Sequence, residues 1–542
     1  MSVRVPLAVW FMCVAAACDS DPRVETNLTP DAEQSGTRSP QPLYHLPPLQ
    51  TELQTYELEI PAAALKAFAE DVRAPEQPAT FVYGGQRYPV NVRLRGASAR
   101  TFPKKSWNVD FEDLRFEGRE EVNLVSEYQD QTLLVEKLAY DLLEAAQVPA
   151  PRTKYVRLVL NGQYQGVYLD IEEVDKKFIK QHELPDDDAS IYRCGWWDCE
   201  MKVGKLPYQG PWEKQTNETE SRADLDALLT LINHTPEPEF PSRLEKIFEL
   251  YRFLRTMAID AIISNNFIED SRSYYISDRK TGRWYYVPWD LNNSDARFWP
   301  TYGLETSPIF DHPLWAFTLT DPWIDKRVEI RSETYADYQP AFCNLRTRIL
   351  LNPDLRERLL AYTDEARAKL LDPAVLHARV DQMYALIESH AKADPYLNQE
   401  AFRRGKQFVK GFITKRYAFV KSEIDRLRGQ KHGLVIERFN PALGWVELAN
   451  RGGAPVSLSG MVVTTYLRNG LAPRNAPEIS LAPGSRIRLT AAQLGISFPP
   501  QGEIGLFNGV GYSGAIDALF YGPLAPGKYY ARSPSGAWTI AP

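Results

Sequence analysis

Cysteine is scarce in this sequence, with five among 542 residues. That count excludes a dense disulfide scaffold. Histidine is scarce too: the seven run from His45 to His432 with no metal-ligand spacing. Positive charge is not in excess, since 63 Lys and Arg stand against 70 Asp and Glu, for a net charge of -7. That balance argues against a general nucleic-acid binder, which carries a basic surplus. Beyond the N-terminus no apolar stretch is long enough to cross a bilayer as a helix. There is no internal repeat, no G-x-S-x-G elbow and no zinc motif, which removes the commonest hydrolase signatures.

What is present begins with Arg4 and the short apolar run "VPLAVWFMCVAAAC". A positive start, a short apolar stretch and small residues at its end predict a secretion signal over 1–18. The run stops at Cys18 behind Ala15-Ala16-Ala17, which resembles the lipobox of bacterial lipoproteins and makes Cys18 the expected lipidated residue. Residues 19–50 are rich in Asp, Ser, Thr, Pro and Gln and read as a disordered tether. Hydrophobic residues make up 44% of the chain, enough for the sizeable core of two or three domains. Cys194 and Cys199, in "CGWWDC", are disulfide candidates in an oxidising compartment. A zinc site is the alternative, but no second pair of ligands lies near. Cys343 reads as a small buried apolar residue.

From "YELEIP" onward the pattern alternates. "ATFVYGGQRYPVNVRLRG" predicts a hairpin around Gly84-Gly85, and "KYVRLVLNGQYQGVYLDIEEV" a second one turning at Asn161-Gly162. Between them "QTLLVEKLAYDLLEAAQV" has helical spacing and is stopped by Pro149 and Pro151. "RLEKIFELYRFLRTMAIDAIISNN" reads as helical, and "RSYYISDRKTGRWYYVPWDLNNS" as a hairpin turning at Lys280-Thr281-Gly282. Residues 326 to 430 are helical by period. After Gly429, short strands with Gly and Pro turns predict an all-β sandwich.

One basic stretch, "RLRGASARTFPKKSWNVDF", has two readings. It is either a solvent-facing turn or a phosphate-holding loop, in which Gly96 admits close backbone approach, Ser98 offers a hydroxyl and Lys104 or Lys105 the cation.

That stretch, the NGxYxGxY hairpin with its following acidic residue and D-x-x-F, and "YYISDRKTGRWYYVPWDLNNS" together resemble the spore-coat-protein-H (CotH) family of atypical kinases over roughly 55–430. The resemblance implies a bilobal protein-kinase-like α+β fold over 51–430 that binds ATP with Mg²⁺ or Mn²⁺. It implies Arg95, Ser98, Lys104, Lys105 and Glu172 as nucleotide-binding residues. Asp290 and Asn292 fall on the metal-binding W-D-x-D/N stretch, where a carboxylate suits a hard cation. Asp270, with Glu269 beside it, is the candidate general base for a substrate hydroxyl. The sequence departs from the family pattern at Asn292, where many relatives have a second carboxylate, at Ser273 in place of Asn, and at Val135 in place of Arg.

Residues 431–542 resemble a lamin-tail domain, an immunoglobulin-like sandwich, through Trp445, Glu447, Asn450, Arg532, Gly536 and Trp538. The reading that follows is an envelope-tethered bacterial kinase that transfers the ATP γ-phosphate to Ser or Thr of a secreted or envelope protein. It is held to the membrane by its lipid alone, and no nucleic-acid partner is expected. The alternative is a kinase-fold surface protein, catalytically weak or inactive, that acts in adhesion.

Overall fold

The computed structural model describes residues 43–112, 114–194, 201, 212–265, 273–292, 309–334, 343–430, 433–467, 475–509 and 511–542. The candidate residues Cys18, Cys199, Glu269 and Asp270 lie outside them, as does the side chain of Ser98. Cys194 is disulfide-bonded, and Cys343 is a buried thiol outside any disulfide.

Seven strands close into a barrel: β1 (Gln54–Glu59), β2 (Gln77–Tyr83), β3 (Gln86–Leu94), β4 (Trp107–Asp110), β5 (Glu121–Val125), β6 (Thr153–Leu160) and β7 (Gln163–Ile171). Their order around it is β1-β2-β3-β4-β5-β7-β6. Parallel pairing of β1 with β6 shuts the ring, so no strand edge is left open there. Alternate residues point inward, among them Val92, Leu94, Trp107, Val109, Val122 and Leu124, and pack into one aromatic-rich core with Phe81, Phe111 and Phe116. Both expected hairpins are present. Gly84 and Gly85 take φ of 57° and 83°, and Asn161 and Gly162 take 48° and 77°, as two-residue turns of this hand require. Helix α1 (Ala62–Glu70) lies on the barrel, and α2 (Val135–Ala145) is inserted between β5 and β6.

The second region carries α3 (Lys176–Gln181), β8 (Ser190–Arg193), β9 (Glu213–Lys214), α4 (Ala223–His234), α5 (Phe240–Ile247), α6 (Leu250–Ile263), β10 (Tyr274–Asp278) and β11 (Arg283–Val287). Its sheet runs β11-β10-β8-β9. The periodic stretch read as helical forms two helices, α5 and α6. Phe248 bridges to Trp284, and the Glu249 N–H donates to the Trp284 carbonyl at 2.9 Å. Strand β11 thus captures the backbone at the break, a tertiary interaction that helical periodicity does not register. Helices α7 (Ile324–Thr334), α8 (Asn344–Leu351), α9 (Pro353–Lys369), α10 (Pro373–Ala391) and α11 (Gln399–Gly429) follow. No helix among the described residues is long and apolar enough to cross a membrane.

The NGxYxGxY motif docks these helices onto the barrel. A Cβ on Gly166 would sit 2.0 Å from Asp394, which follows α10, and Gly166 has φ of 111°. Only glycine fits there. The Asp394 carboxylate accepts the Val167 N–H at 3.1 Å and pairs with Lys104 at 2.8 Å, both side chains fully buried. Tyr164 reaches the His390 carbonyl at 3.1 Å, and Tyr168 lies under the Lys104 ammonium. Farther along, Arg379 of α10 pairs with Asp141 of α2 at 2.5 Å. Residues 43–50, read from composition as tether, instead run along the main core, with Tyr44 buried in it. Their leucines and Tyr44 have apolar surface to bury, which a polar count over 19–50 averages away.

The C-terminal strands are β12 (Leu434–Asn440), β13 (Trp445–Asn450), β14 (Val456–Ser457), β15 (Val462–Thr464), β16 (Ser480–Leu481), β17 (Arg486–Thr490), β18 (Gly502–Phe507), β19 (Ala515–Tyr521), β20 (Tyr529–Arg532) and β21 (Trp538–Ala541), with the single turn α12 (Ala491–Leu494). They form sheets of five, two and three strands, so the whole chain is α+β. The landmark residues hold this region together. Asn450 donates to the Ala454 and Leu481 carbonyls at 2.8 Å, Arg532 to Gly536 at 2.6 Å, and Trp538 is in the core. The region does not stand apart. Val462, Phe507, Tyr512 and Phe520 share a core with Phe317, Leu319 and Ile324 of the helical region. Arg348 of α8, fully buried, pairs with Glu237 at 2.8 Å and lies over the rings of Phe240 and Phe520.

Candidate active site

The two expected lysines do different work. Lys104 is committed to Asp394 and to the Val167 carbonyl, 2.7 Å away. Burial pushes its pKa down, opposed by Asp394. Lys105 donates to the Arg100 carbonyl at 2.7 Å. Glu172, just past β7, accepts the Arg152 N–H and faces His182 Nε2, both at 2.9 Å, and these contacts join the barrel end to the residue that follows α3.

Arg95 does meet the segment that carries Asp290. Arg95 leaves the end of β3 with its guanidinium 5.5 Å from the ring centre of Trp289, the residue before Asp290. Trp289 meets Tyr274 edge-on at 5.5 Å. Asp290 itself holds φ of 62°. A non-glycine residue in that region is uncommon, and such strain concentrates at functional sites. The next residue ties the segment to α2: the Leu291 N–H donates to Glu136 at 3.1 Å. Asn292 follows directly.

Glu136 stands on the first turn of α2, a helix buried nearly all round. Asp130 sets that start by accepting the Leu134 and Val135 N–H groups at 3.0 and 2.9 Å. Burial raises the Glu136 carboxyl to about 7; Asp290 adds to the rise, and Glu127, the Leu291 N–H and Arg95 oppose it. Glu127 lies beside it and is pushed well above the carboxylate range, first by burial and then by Glu136 and Asp130, with Lys104 opposing. Neither oxygen of Glu127, nor the second oxygen of Glu136, meets an N–H or O–H donor. Two buried carboxylates side by side resist ionising together, which is the physical cause of both shifts. Tyr140, one turn on, feels both Glu136 and Asp290.

Charges therefore run inward from the surface of the site: Arg95 and Asp290, then Glu136, Glu127, Lys104 and Asp394. Glu127, Glu136 and Tyr140 were not picked out from the sequence. The available signal was Glu136, Lys137 and Asp141 inside a helix whose other positions are almost all apolar, since charged residues are rarely buried without a task. Among the described residues no group of three or more His, Cys, Asp or Glu is arranged to hold a metal ion. The donors that are present, Asp290 and Glu136, still fit magnesium, which is commonly held by one or two carboxylates and completed by phosphates and water.

The family model for CotH kinase proteins matches residues 92–420, more than half of the chain. The chain belongs to the CotH kinase family. It is also 24% identical over 393 residues to inner spore coat protein H of Bacillus subtilis (strain 168), a match covering 70% of this chain and 99% of that protein. The CotH match spans Arg93-Leu94-Arg95, the Asn161-Gly162 hairpin, α2 and Trp289-Asp290, so every residue of the cluster above lies inside it.

Proposed function

We propose that this CotH family member is an exported, metal-dependent protein kinase that transfers the γ-phosphate of ATP to Ser or Thr of a secreted or envelope protein. Its site would lie between a barrel and a helical region in a kinase-like bilobal arrangement, followed by an immunoglobulin-like lamin-tail sandwich. The observation that carries the reading is the meeting of Arg95, Trp289, strained Asp290 and α2-borne Glu136. Phosphoryl transfer depends mainly on positioning and charge neutralisation. Arg95 supplies a fixed cation for phosphate oxygens, the role expected of Lys104 or Lys105. Asp290, with Glu136 and Asn292, would hold the magnesium ion, which neutralises phosphate charge when bound. Glu136 also holds the backbone after Asp290 through Leu291. Asp270 or Glu269 takes the proton of the substrate hydroxyl. The relative's place in a spore coat, the expected signal sequence and Cys18 support an extracytoplasmic lipoprotein of the cell envelope.

A second reading, a kinase-fold surface protein without transfer activity, draws on the burial of Lys104 against Asp394 and on Ser273 in place of Asn. Calorimetry with the full chain tests both. Binding of ATP only with Mg²⁺ or Mn²⁺, lost in Asp290→Ala with an unchanged melting curve, is the expected result. Unchanged binding in that variant refutes the site. Autophosphorylation then separates transfer from binding alone.

A further inference from the structure

Charge is distributed unevenly along the chain. Residues 431–542 hold nine Lys and Arg against five Asp and Glu, a net charge of +4 in a chain of -7. Four of these arginines gather on the outer side of the sheet β17-β13-β12-β20-β21. Strand β13 alternates: Val446 and Leu448 enter the sandwich core, so Trp445 and Glu447 face outward. Strand β12 breaks the alternation. Its register shifts between Ile436 and Arg438, so Glu437 and Arg438 both fall outside, between the core residues Ile436 and Phe439. Glu437 lies between Arg451 at 2.8 Å and Arg486 at 3.3 Å, and Glu447 between Arg488 at 3.4 Å and Arg438 at 3.6 Å. Both carboxylates are buried beneath these arginines, which outnumber them four to two. The Arg488 guanidinium stands 4.0 Å from the ring centre of Trp445, and that of Arg438 5.7 Å from Tyr529. At one end of this face the β12–β13 turn holds Leu443 outward. Its N–H donates to Asn440 Oδ1 at 2.9 Å, and the residue is 71% exposed, more than any other large apolar residue among those described. The sandwich docks on the helical region through its other sheet, where Val462, Phe507 and Phe520 enter a shared core, while Arg486 and Arg488 stay exposed.

We propose that this face docks the C-terminal sandwich on a membrane surface rich in anionic phospholipid. A sheet face offers a broad, shallow surface, which suits a planar partner rather than a small ligand. Arginine forks address the phosphate oxygens of lipid headgroups, and cations close to an anionic leaflet are attracted to it. Leu443 enters the boundary between headgroups and acyl chains. A soluble polyanion would engage the arginines and leave Leu443 in water, so the membrane is the occupant that uses both features. The contact adds to the lipid expected at Cys18, in place of anchorage by that lipid alone. An acyl anchor and a basic face hold a protein to a bilayer better than either does by itself. The inference does not depend on the kinase reading.

The test uses the full chain carrying Cys18→Ser, so that no acyl chain contributes, and cosedimentation with vesicles. Mixed phosphatidylglycerol and phosphatidylcholine vesicles are compared with phosphatidylcholine alone. The N-terminus is common to every variant, so each affinity is read relative to the parent chain. The parent is expected to prefer the anionic vesicles, and the preference to weaken as salt rises. Arg486→Gln/Arg488→Gln is expected to lower affinity for them about tenfold or more. Leu443→Ser is expected to lower it about threefold or more. Each buried glutamate keeps its second arginine in the double variant, so calorimetric melting is expected to stay the same. Arg403→Gln/Arg404→Gln, on the exposed side of α11, removes the same charge elsewhere and is expected to leave binding unaltered. Equal affinity for the two kinds of vesicle overturns the proposal. So does an equal loss in the α11 variant, which makes the effect one of net charge. An arginine variant that binds like the parent overturns it too. Loss in the arginine variant with none in Leu443→Ser also overturns it, and points to a soluble polyanion instead.

Discussion

Replacing Gly166 by alanine tests how the barrel is pinned to the helices. The new Cβ would stand 2.0 Å from one Asp394 oxygen and 2.6 Å from the other, inside contact distance of both. Alanine at φ of 111° adds backbone strain of about 1–2 kcal/mol. The larger effect is indirect. Asp394 must withdraw, which frees the Val167 N–H and leaves the fully buried Lys104 ammonium without its counter-charge. Breaking a buried pair in this way costs about 3–5 kcal/mol. The expected loss is therefore about 4–7 kcal/mol, a large part of the roughly 5–15 kcal/mol that stabilises a typical domain. Urea unfolding followed by tryptophan fluorescence reads it as a lower midpoint at constant slope. A double-mutant cycle isolates the cause. Lys104→Met and Asp394→Leu should each destabilise strongly, while the double variant should recover about 1–3 kcal/mol relative to their sum. A Gly166→Ala protein within about 1 kcal/mol of wild type, or additive effects in the cycle, refutes the argument.

Two further outcomes follow from buried charges. Arg348→Met leaves the buried Glu237 without its counter-charge and should cost about 3–5 kcal/mol, with partial recovery in Arg348→Met/Glu237→Gln; calorimetric melting of the full chain checks it. Asp175 caps α3 through the Phe178 N–H at 2.8 Å, and burial raises its pKa to about 6 with Glu173 adding to the rise. A carboxyl raised above its unfolded value of about 3.9 makes the folded state hold the extra proton between about pH 4 and 6, so wild-type stability falls as pH rises through that window. Asp175→Asn keeps the cap and loses the titration. It should match wild type below about pH 4 and exceed it by about 2–3 kcal/mol above pH 6, and a gap that does not change with pH contradicts the assignment.

Local chemistry was legible wherever a residue's role is set by its near neighbours. Gly84-Gly85 and Asn161-Gly162 are turns because few residues other than glycine and asparagine accept those dihedrals readily. The spacing of Leu134, Leu138, Leu142 and Leu143 marks a buried helix face whatever it packs against. Arg95 and Asp290 were legible as candidate site residues because each lies in a short motif of the family pattern. Length and pairing of the α5–α6 stretch were not legible, since the break depends on Trp284, which is far along the chain.

What the sequence determined by itself was the hairpins with their turns, the helical stretches such as α2, and the family, because dihedral preference and hydrophobic period act over a few residues. Only the tertiary structure decided which charges meet. Lys104 and Asp394 are 290 residues apart, and Glu136 reaches Leu291 across 155. Coulomb energy and desolvation depend on distance and burial in space, so a lysine beside a promising motif ended as an internal pin, and a helix glutamate of no evident role came to stand behind Asp290.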